Sequence, residues 1–223
     1  MKGIKMINIF LTEISEILES ERVFNYKNKF IQKIYGRQVL YYGLKKIYGI
    51  RDAQIGYTQY LKPFLENYNN IFFSISHSSN MVVCAIADSE IGIDIQTMLR
   101  WDEKKILKIV DYFFNEKEVS LIENSENARE IFWEIWVSIE SYIKYKGIGL
   151  KLPLDCLDIT ISDYGIKLQN NEDLKENIYI KLLDSTEKYK MAFCSGKPSE
   201  FEIEEVNCDK IIEQLNVYEE NLL

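Results

Sequence analysis

Residues 132–154, FWEIWVSIESYIKYKGIGLKLPL, constrain the fold more than any other stretch. Trp136, Glu140 and Lys144 recur every fourth residue, so a helix stacks them along one stripe and puts a carboxylate and an ammonium on one surface. Gly147 and Gly149 then turn the chain. The pair has two readings. A Glu four residues before a Lys is an ordinary stabilising pair worth ~0.2–0.5 kcal/mol on an exposed helix; it also supplies an acid and a base to a site. A partner for the second reading lies upstream in IGIDIQ, where Asp94 and Gln96 are two apart in a strand-like run and share a face. Ile91, Ile93 and Ile95 take the other face, which is core, so an acid beside that core needs a partner.

A chain of 223 residues holds one sizeable core or two small domains sharing an interface. No apolar run approaches the ~20 residues of a membrane-spanning helix. The start, MKGIKMINIFLTEI, reads as a first strand and not a signal peptide, because Asn8 and Thr12 interrupt it and no small-residue cleavage site follows. Cys84, Cys156, Cys194 and Cys208 are widely spaced with no C-x-x-C pair, which predicts free thiols in a reducing cytoplasm. The net charge of −8 argues against nucleic acid as a partner. With one histidine, His77, and scattered cysteines, a zinc centre is not expected; carboxylates plus an amide are oxygen donors that suit Mg²⁺ or Mn²⁺.

Along the chain, the spacing of apolar residues predicts a core helix from about Asn28 to Tyr48, stopped by Gly49. Lys27, Lys29, Lys33 and Arg37 decorate its first half, as a solvated face or an anion-facing one. Tyr60-Leu61-Lys62-Pro63 reads as a loop and Ile71 to Ser76 as a strand. Ser76-His77-Ser78-Ser79-Asn80 is the expected turn, where His77 serves as a hydrogen-bonded structural residue or as a reacting group. Strands follow at 81–87 and 90–96. Residues 102–124 read as two helical pieces, with Asn115 capping the second and Glu118 closing a capping box. Further strands are expected at 156–162, 177–183, 189–195 and 201–206, with a turn at Tyr164-Gly165. YKMAFCSG echoes NMVVCAIA, so the fold class is α+β, two similar halves from a pseudo-duplication. The division falls near Thr97: residues 1–97 form one half and 98–223 the other.

Together, F-S-I-S-H-S (Phe73 to Ser78), I-G-I-D-I-Q (Ile91 to Gln96), F-F-N-E-K-E (Phe113 to Glu118) and W-V-S-I-E-S-Y-I-K-Y-K-G-I-G-L (Trp136 to Leu150) resemble the surfactin-type 4′-phosphopantetheinyl transferases in order and separation. Leu61-Lys62-Pro63 looks like that family's G-K-P loop. The resemblance runs from about residue 30 to residue 195. It implies a cytoplasmic monomer of two halves packed around a shared active-site cleft, with coenzyme A held between them. It also implies Mg²⁺-dependent transfer of the phosphopantetheine arm to a serine of an apo acyl or peptidyl carrier protein, releasing adenosine 3′,5′-bisphosphate. Carried over residue by residue, Asp94, Gln96 and Glu140 match the metal ligands and Lys144 the catalytic lysine. Glu140 doubles as the proton acceptor, Ser76 and His77 match residues that hold the 3′-phosphate of coenzyme A, and Lys62 matches the nucleotide-side lysine. Arg37, with Lys27 and Lys29, is a candidate for the basic residues at the long helix.

Four departures stand against the family pattern. Gln96 replaces a second acidic ligand, and an amide oxygen coordinates with less negative charge. Ile139 replaces a lysine before the glutamate, and a charge-assisted hydrogen bond is worth ~1.5–3 kcal/mol, roughly a 10- to 100-fold handicap if uncompensated. Lys146 and Lys151 are the nearby cations that could take its place. Leu61 replaces a glycine, and the family's basic residues before the long helix have no clear match. The alternative reading is therefore a catalytically attenuated relative that binds coenzyme A or a carrier protein without efficient transfer. The basic run Arg100, Lys104, Lys105 and Lys108 is either a docking surface for an acidic carrier or a solvated helix face.

Overall fold

The computed structural model describes residues 6–15, 25–98, 106, 109–110, 114–149, 157–162, 165–170, 178–183, 186, 188–211 and 213. The chain is mixed α+β and forms two compact units. The first comprises 1–59, 63–91 and 199–223, the second 60–62 and 92–198. The units thus do not follow one cut near Thr97: backbone pairing returns the C-terminal strand to the first unit and gives residues 92–98 to the second.

In the first unit, α1 (Asn25–Tyr48) lies on a four-stranded sheet. The sheet order is β11 (Glu200–Glu205), β1 (Met6–Glu13), β5 (Met81–Ala87), β4 (Phe72–Ser78). β1 runs parallel to β11, with Ile9 opposite Ile203, and antiparallel to β5, with Phe10 opposite Cys84. Residues at helical spacing on α1, namely Tyr35, Val39, Leu40, Tyr42 and Leu44, are buried and pack with Phe10, Ile14, Phe73, Val82 and Ile86 from the sheet. Gly49 ends the helix in the left-handed region, its N–H donating to the Lys45 carbonyl at 2.9 Å. At the far edge, Lys46 and Tyr42 both reach Glu204 of β11. A short hairpin of β2 (Ile55–Tyr57) and β3 (Pro63–Leu65) also belongs here; three-residue strands carry no readable alternation, and the sequence reading has only a loop at Tyr60–Pro63.

The expected turn at Ser76–Asn80 is shorter than its composition implied. β4 continues through Ser76, His77 and Ser78, which pair with Val83, Val82 and Met81, and only Ser79 and Asn80 make the connection. Ser79 takes φ 53°, the positive φ that tight two-residue hairpins demand. Ladder hydrogen bonding overrides the polar composition of the strand's end.

In the second unit, β6 (Ile91–Thr97), β10 (Tyr189–Ser195) and β9 (Tyr179–Leu182) form a three-stranded sheet in the order β6-β10-β9. α3 (Ala128–Lys146) packs on it through Ile135, Ile139, Tyr142 and Ile143, against Ile180, Ala192 and Cys194. Lys190 of β10 fastens the same helix by ion pairs to Glu134 at 2.9 Å and Glu130 at 3.3 Å. α2 (Glu116–Glu123) starts on the expected capping box: Asn115 accepts from the Lys117 and Glu118 amides, and Glu118 accepts from the Asn115 amide. β7 (Leu157–Ser162) and β8 (Gly165–Asn170) pair antiparallel. β8 is absent from the sequence reading, because GIKLQN lacks a clear apolar run. Cys84, Cys194 and Cys208 are free thiols, as expected, and burial pushes the Cys84 thiol up.

Candidate active site

The site in the second unit grows out of a close approach between β6 and α3. Gly92 lies against the helix: a methyl group there would collide with the Ser141 carbonyl oxygen and the Tyr145 backbone nitrogen. With no Cβ at 92 the strand can touch the helix backbone, and Asp94, two residues along on the same face, comes within reach of the last helical turns. Asp94 is 1% exposed. Its Oδ1 accepts from Lys144 Nζ at 2.6 Å and its Oδ2 from Gln96 Nε2 at 3.1 Å. The acid beside the core thus has its partner, and the partner is the lysine of the helical stripe. A buried charge-paired contact is costly to break from one side, because the remaining charge is left unpaired.

Glu140 sits one turn before Lys144 on α3. Burial pushes its carboxyl up to about 7, the Asp94 charge adds to the rise, and the Lys144 ammonium pulls the other way. Two carboxylates thus share a desolvated space with one ammonium. Among the described residues no group of three or more His, Cys, Asp or Glu side chains could hold a metal ion. Two carboxylates whose charges repel still fit Mg²⁺, which binds through one or two carboxylates and takes its other ligands from water and substrate phosphates. Gln96 turns its amide nitrogen toward Asp94, the orientation a carboxylate neighbour requires.

Residue 139 shows why its departure from the family pattern is not a simple lost contact. Ile139 is 1% exposed and lies in the cluster with Ile135, Tyr142, Ile180 and Cys194, so its side chain serves the core. Lys62 groups with the second unit and donates from Nζ to the Tyr145 carbonyl at 2.8 Å, near the end of α3. Leu61 before it takes φ 65°, a conformation that a glycine would adopt without strain.

The family-model comparison matches the 4′-phosphopantetheinyl transferase superfamily over residues 90–194, which contain Asp94, Glu140 and Lys144. A 4′-phosphopantetheinyl transferase from Bacillus subtilis is 32% identical over 212 residues, covering 93% of this chain and 89% of the relative. The chain belongs to the surfactin-type 4′-phosphopantetheinyl transferase family. The transferase is also 33% identical to 4′-phosphopantetheinyl transferase Sfp of Bacillus subtilis (strain 168), over 66% of this chain and 65% of that one. With 4′-phosphopantetheinyl transferase gsp of Aneurinibacillus migulanus it shares 35% identity over 61% and 56% of the two chains. A holo-(acyl-carrier-protein) synthase from Bacillus anthracis, crystallised with coenzyme A (3′,5′-ADP), aligns at TM-score 0.40 and 19% identity over 47% of this chain and 92% of that one.

The transferase carries its other expected site residues in the first unit. Ser76 and His77 are consecutive on β4, so their side chains take opposite faces. Ser76 is buried and His77 half-buried, on the face that carries Phe73 and Ile75. Arg37 is exposed on α1 and donates from Nη2 to the Tyr57 hydroxyl at 2.8 Å. Lys29 is exposed on the same helix. The side chain of Lys27, all of Lys151, and Arg100, Lys104, Lys105 and Lys108 lie outside the described residues. The sequence reading missed Gly92, although an isolated glycine inside a strand is a signal of close backbone approach. No helix among the described residues is long and apolar enough to cross a membrane.

Proposed function

We propose that this transferase moves the 4′-phosphopantetheine arm of coenzyme A to a serine hydroxyl of an apo acyl or peptidyl carrier protein, with adenosine 3′,5′-bisphosphate as the leaving product. The observation that supports this most is the meeting of Asp94, Glu140 and Lys144 at the β6–α3 contact. Asp94 and Glu140 would hold Mg²⁺, with Mn²⁺ an acceptable substitute and Gln96 beside them. The metal, when bound, supplies Lewis-acid stabilisation of a substrate's phosphate oxygens.

The chain's own residues divide the remaining work. Glu140 takes the proton from the attacking serine hydroxyl; without metal, burial holds its carboxyl near 7, and a bound cation would favour the charged form that accepts the proton. Lys144 brings an ammonium already oriented by Asp94, and that charge stabilises the negative charge that builds on the phosphoryl and leaving oxygens. Gln96 holds the second oxygen of Asp94 and so fixes its carboxylate plane. Ser76, His77 and Arg37 are assigned to the 3′-phosphate and nucleotide of coenzyme A, and Lys62 to its nucleotide side. The two units, each a helix on a sheet, are read as the two similar halves. The protein acts as a monomer, without nucleic acid or membrane as partner.

The test is intact-mass spectrometry of several apo carrier proteins incubated with the protein, coenzyme A and Mg²⁺. A mass gain of one phosphopantetheine arm per carrier, absent with Glu140→Gln, is expected. Retained coenzyme A binding with no gain on any carrier would leave the attenuated binding relative instead.

A further inference from the structure

An α-helix leaves its last four carbonyls without an intrahelical donor and carries partial negative charge at that end. α3 ends at Lys146, and Gly147, at φ +69°, returns its N–H to the Ile143 carbonyl at 2.9 Å. The Tyr145 carbonyl, another of the four, receives the Lys62 ammonium at 2.8 Å. The contact is more than a polar one. The Lys62 stem lies over Gly147, so that a methyl on that glycine would collide with Lys62 Cδ and stand 3.4 Å from both Cβ and Cγ. Gly147 is therefore required twice, by its left-handed backbone and by the lysine stem above it. Leu61 beside Lys62 is held at φ 65° with its side chain 77% exposed, so its own burial does little to offset that strain.

The clamped turn is the one that carries the chemistry. Lys144, bonded to Asp94, directly precedes Tyr145, and Glu140 lies five residues before it on the same helix. We infer that Lys62 is a positioning residue: its ammonium and stem clamp the C-terminal turn of α3 and so fix where Lys144 and Glu140 stand relative to Asp94. This goes beyond the nucleotide contact assigned to Lys62 above, and it rests on the reading of Asp94, Glu140 and Lys144 as the reacting groups. The role needs a cation with a long stem, so arginine substitutes for it and methionine does not.

The experiment compares Lys62→Met, which keeps the stem and loses the ammonium, with Lys62→Arg and with Gly147→Ala, which displaces the stem from below. Hydrogen exchange of the amides of residues 144–147 speeds up in Lys62→Met and Gly147→Ala and stays near wild type in Lys62→Arg. In transfer assays Lys62→Met loses about ten- to a hundredfold in kcat, the scale of a small misplacement of reacting groups, in addition to the rise in KM for coenzyme A that loss of the nucleotide contact brings. Lys62→Arg recovers most of that loss. A rise in KM with kcat unchanged makes Lys62 a substrate contact alone and overturns the inference, as does exchange identical to wild type in Lys62→Met. If the wild-type protein modifies no carrier, the proposed function fails, and the exchange comparison by itself still upholds or overturns the clamp.

Discussion

Glu140→Gln should make the metal-free protein more stable, and increasingly so as the pH rises. The glutamate has an ordinary value of 4.5 and is pushed up to about 7 on folding, chiefly by desolvation. Its charged form is therefore disfavoured in the folded state, so the folded chain keeps a proton that the unfolded chain releases between those two values. Stability falls as pH rises through that window and levels off above it. At ~1.36 kcal/mol per pKa unit, the penalty is about 1 kcal/mol at pH 5 and about 3 kcal/mol at pH 8. A neutral glutamine removes it. The melting-temperature gap between variant and wild type should then widen by roughly 2 kcal/mol between pH 5 and pH 8, or about 4–8 °C for a chain of this size. Thermal melts in chelator-treated buffer at the two pH values measure this directly. A gap that stays constant with pH would refute the claim that burial raises the Glu140 carboxyl on folding. Added Mg²⁺ should raise the wild-type melting temperature more at pH 8 than at pH 5 and leave Glu140→Gln nearly unmoved.

Three further outcomes are expected. Ile139→Lys, which restores the family's usual residue, should not raise activity; it buries an unpaired ammonium among Ile135, Tyr142 and Ile180 and should cost about 3–5 kcal/mol, read as a lower denaturant midpoint. Gly92→Ala should push β6 off α3, because the added methyl meets backbone atoms of Ser141 and Tyr145; about 1–3 kcal/mol of stability is lost, and kcat falls as Asp94 and Lys144 separate, whereas normal kcat would show that the close approach is not needed. Leu61→Gly should stabilise the chain by up to ~1–2 kcal/mol, the cost of a left-handed non-glycine residue, less the flexibility glycine adds to the unfolded chain; a lower melting temperature would mean that this added flexibility outweighs the strain relieved at φ 65°.

Much of this arrangement was legible in residue spacing alone. The three-to-four-residue period of α1 and α3, the unbroken apolar run MVVCAIA, the alternation in IGIDIQ, and the Asn115–Glu118 capping box depend on local geometry, which a sequence displays directly. Spacing also placed Glu140 and Lys144 one helical turn apart and put Asp94 on a strand face opposite Ile93 and Ile95. It could not pair Asp94 with Lys144, fifty positions away, because that contact depends on β6 and α3 coming together at Gly92. Ile139 shows the same limit: one residue before Glu140 its rotation about the helix points it into the sheet, which is known only once β9 and β10 are beneath it. His77 and Ser78 read as turn residues by composition, yet ladder pairing to Val82 and Met81 made them strand. Local periodicity, in short, determined the elements and the kinds of side chain each offers. Burial, which raises Glu140, and backbone proximity, which joins Asp94 to Lys144 and Lys62 to Tyr145, arise only when distant segments exclude water from one another, and those were decided by the tertiary structure.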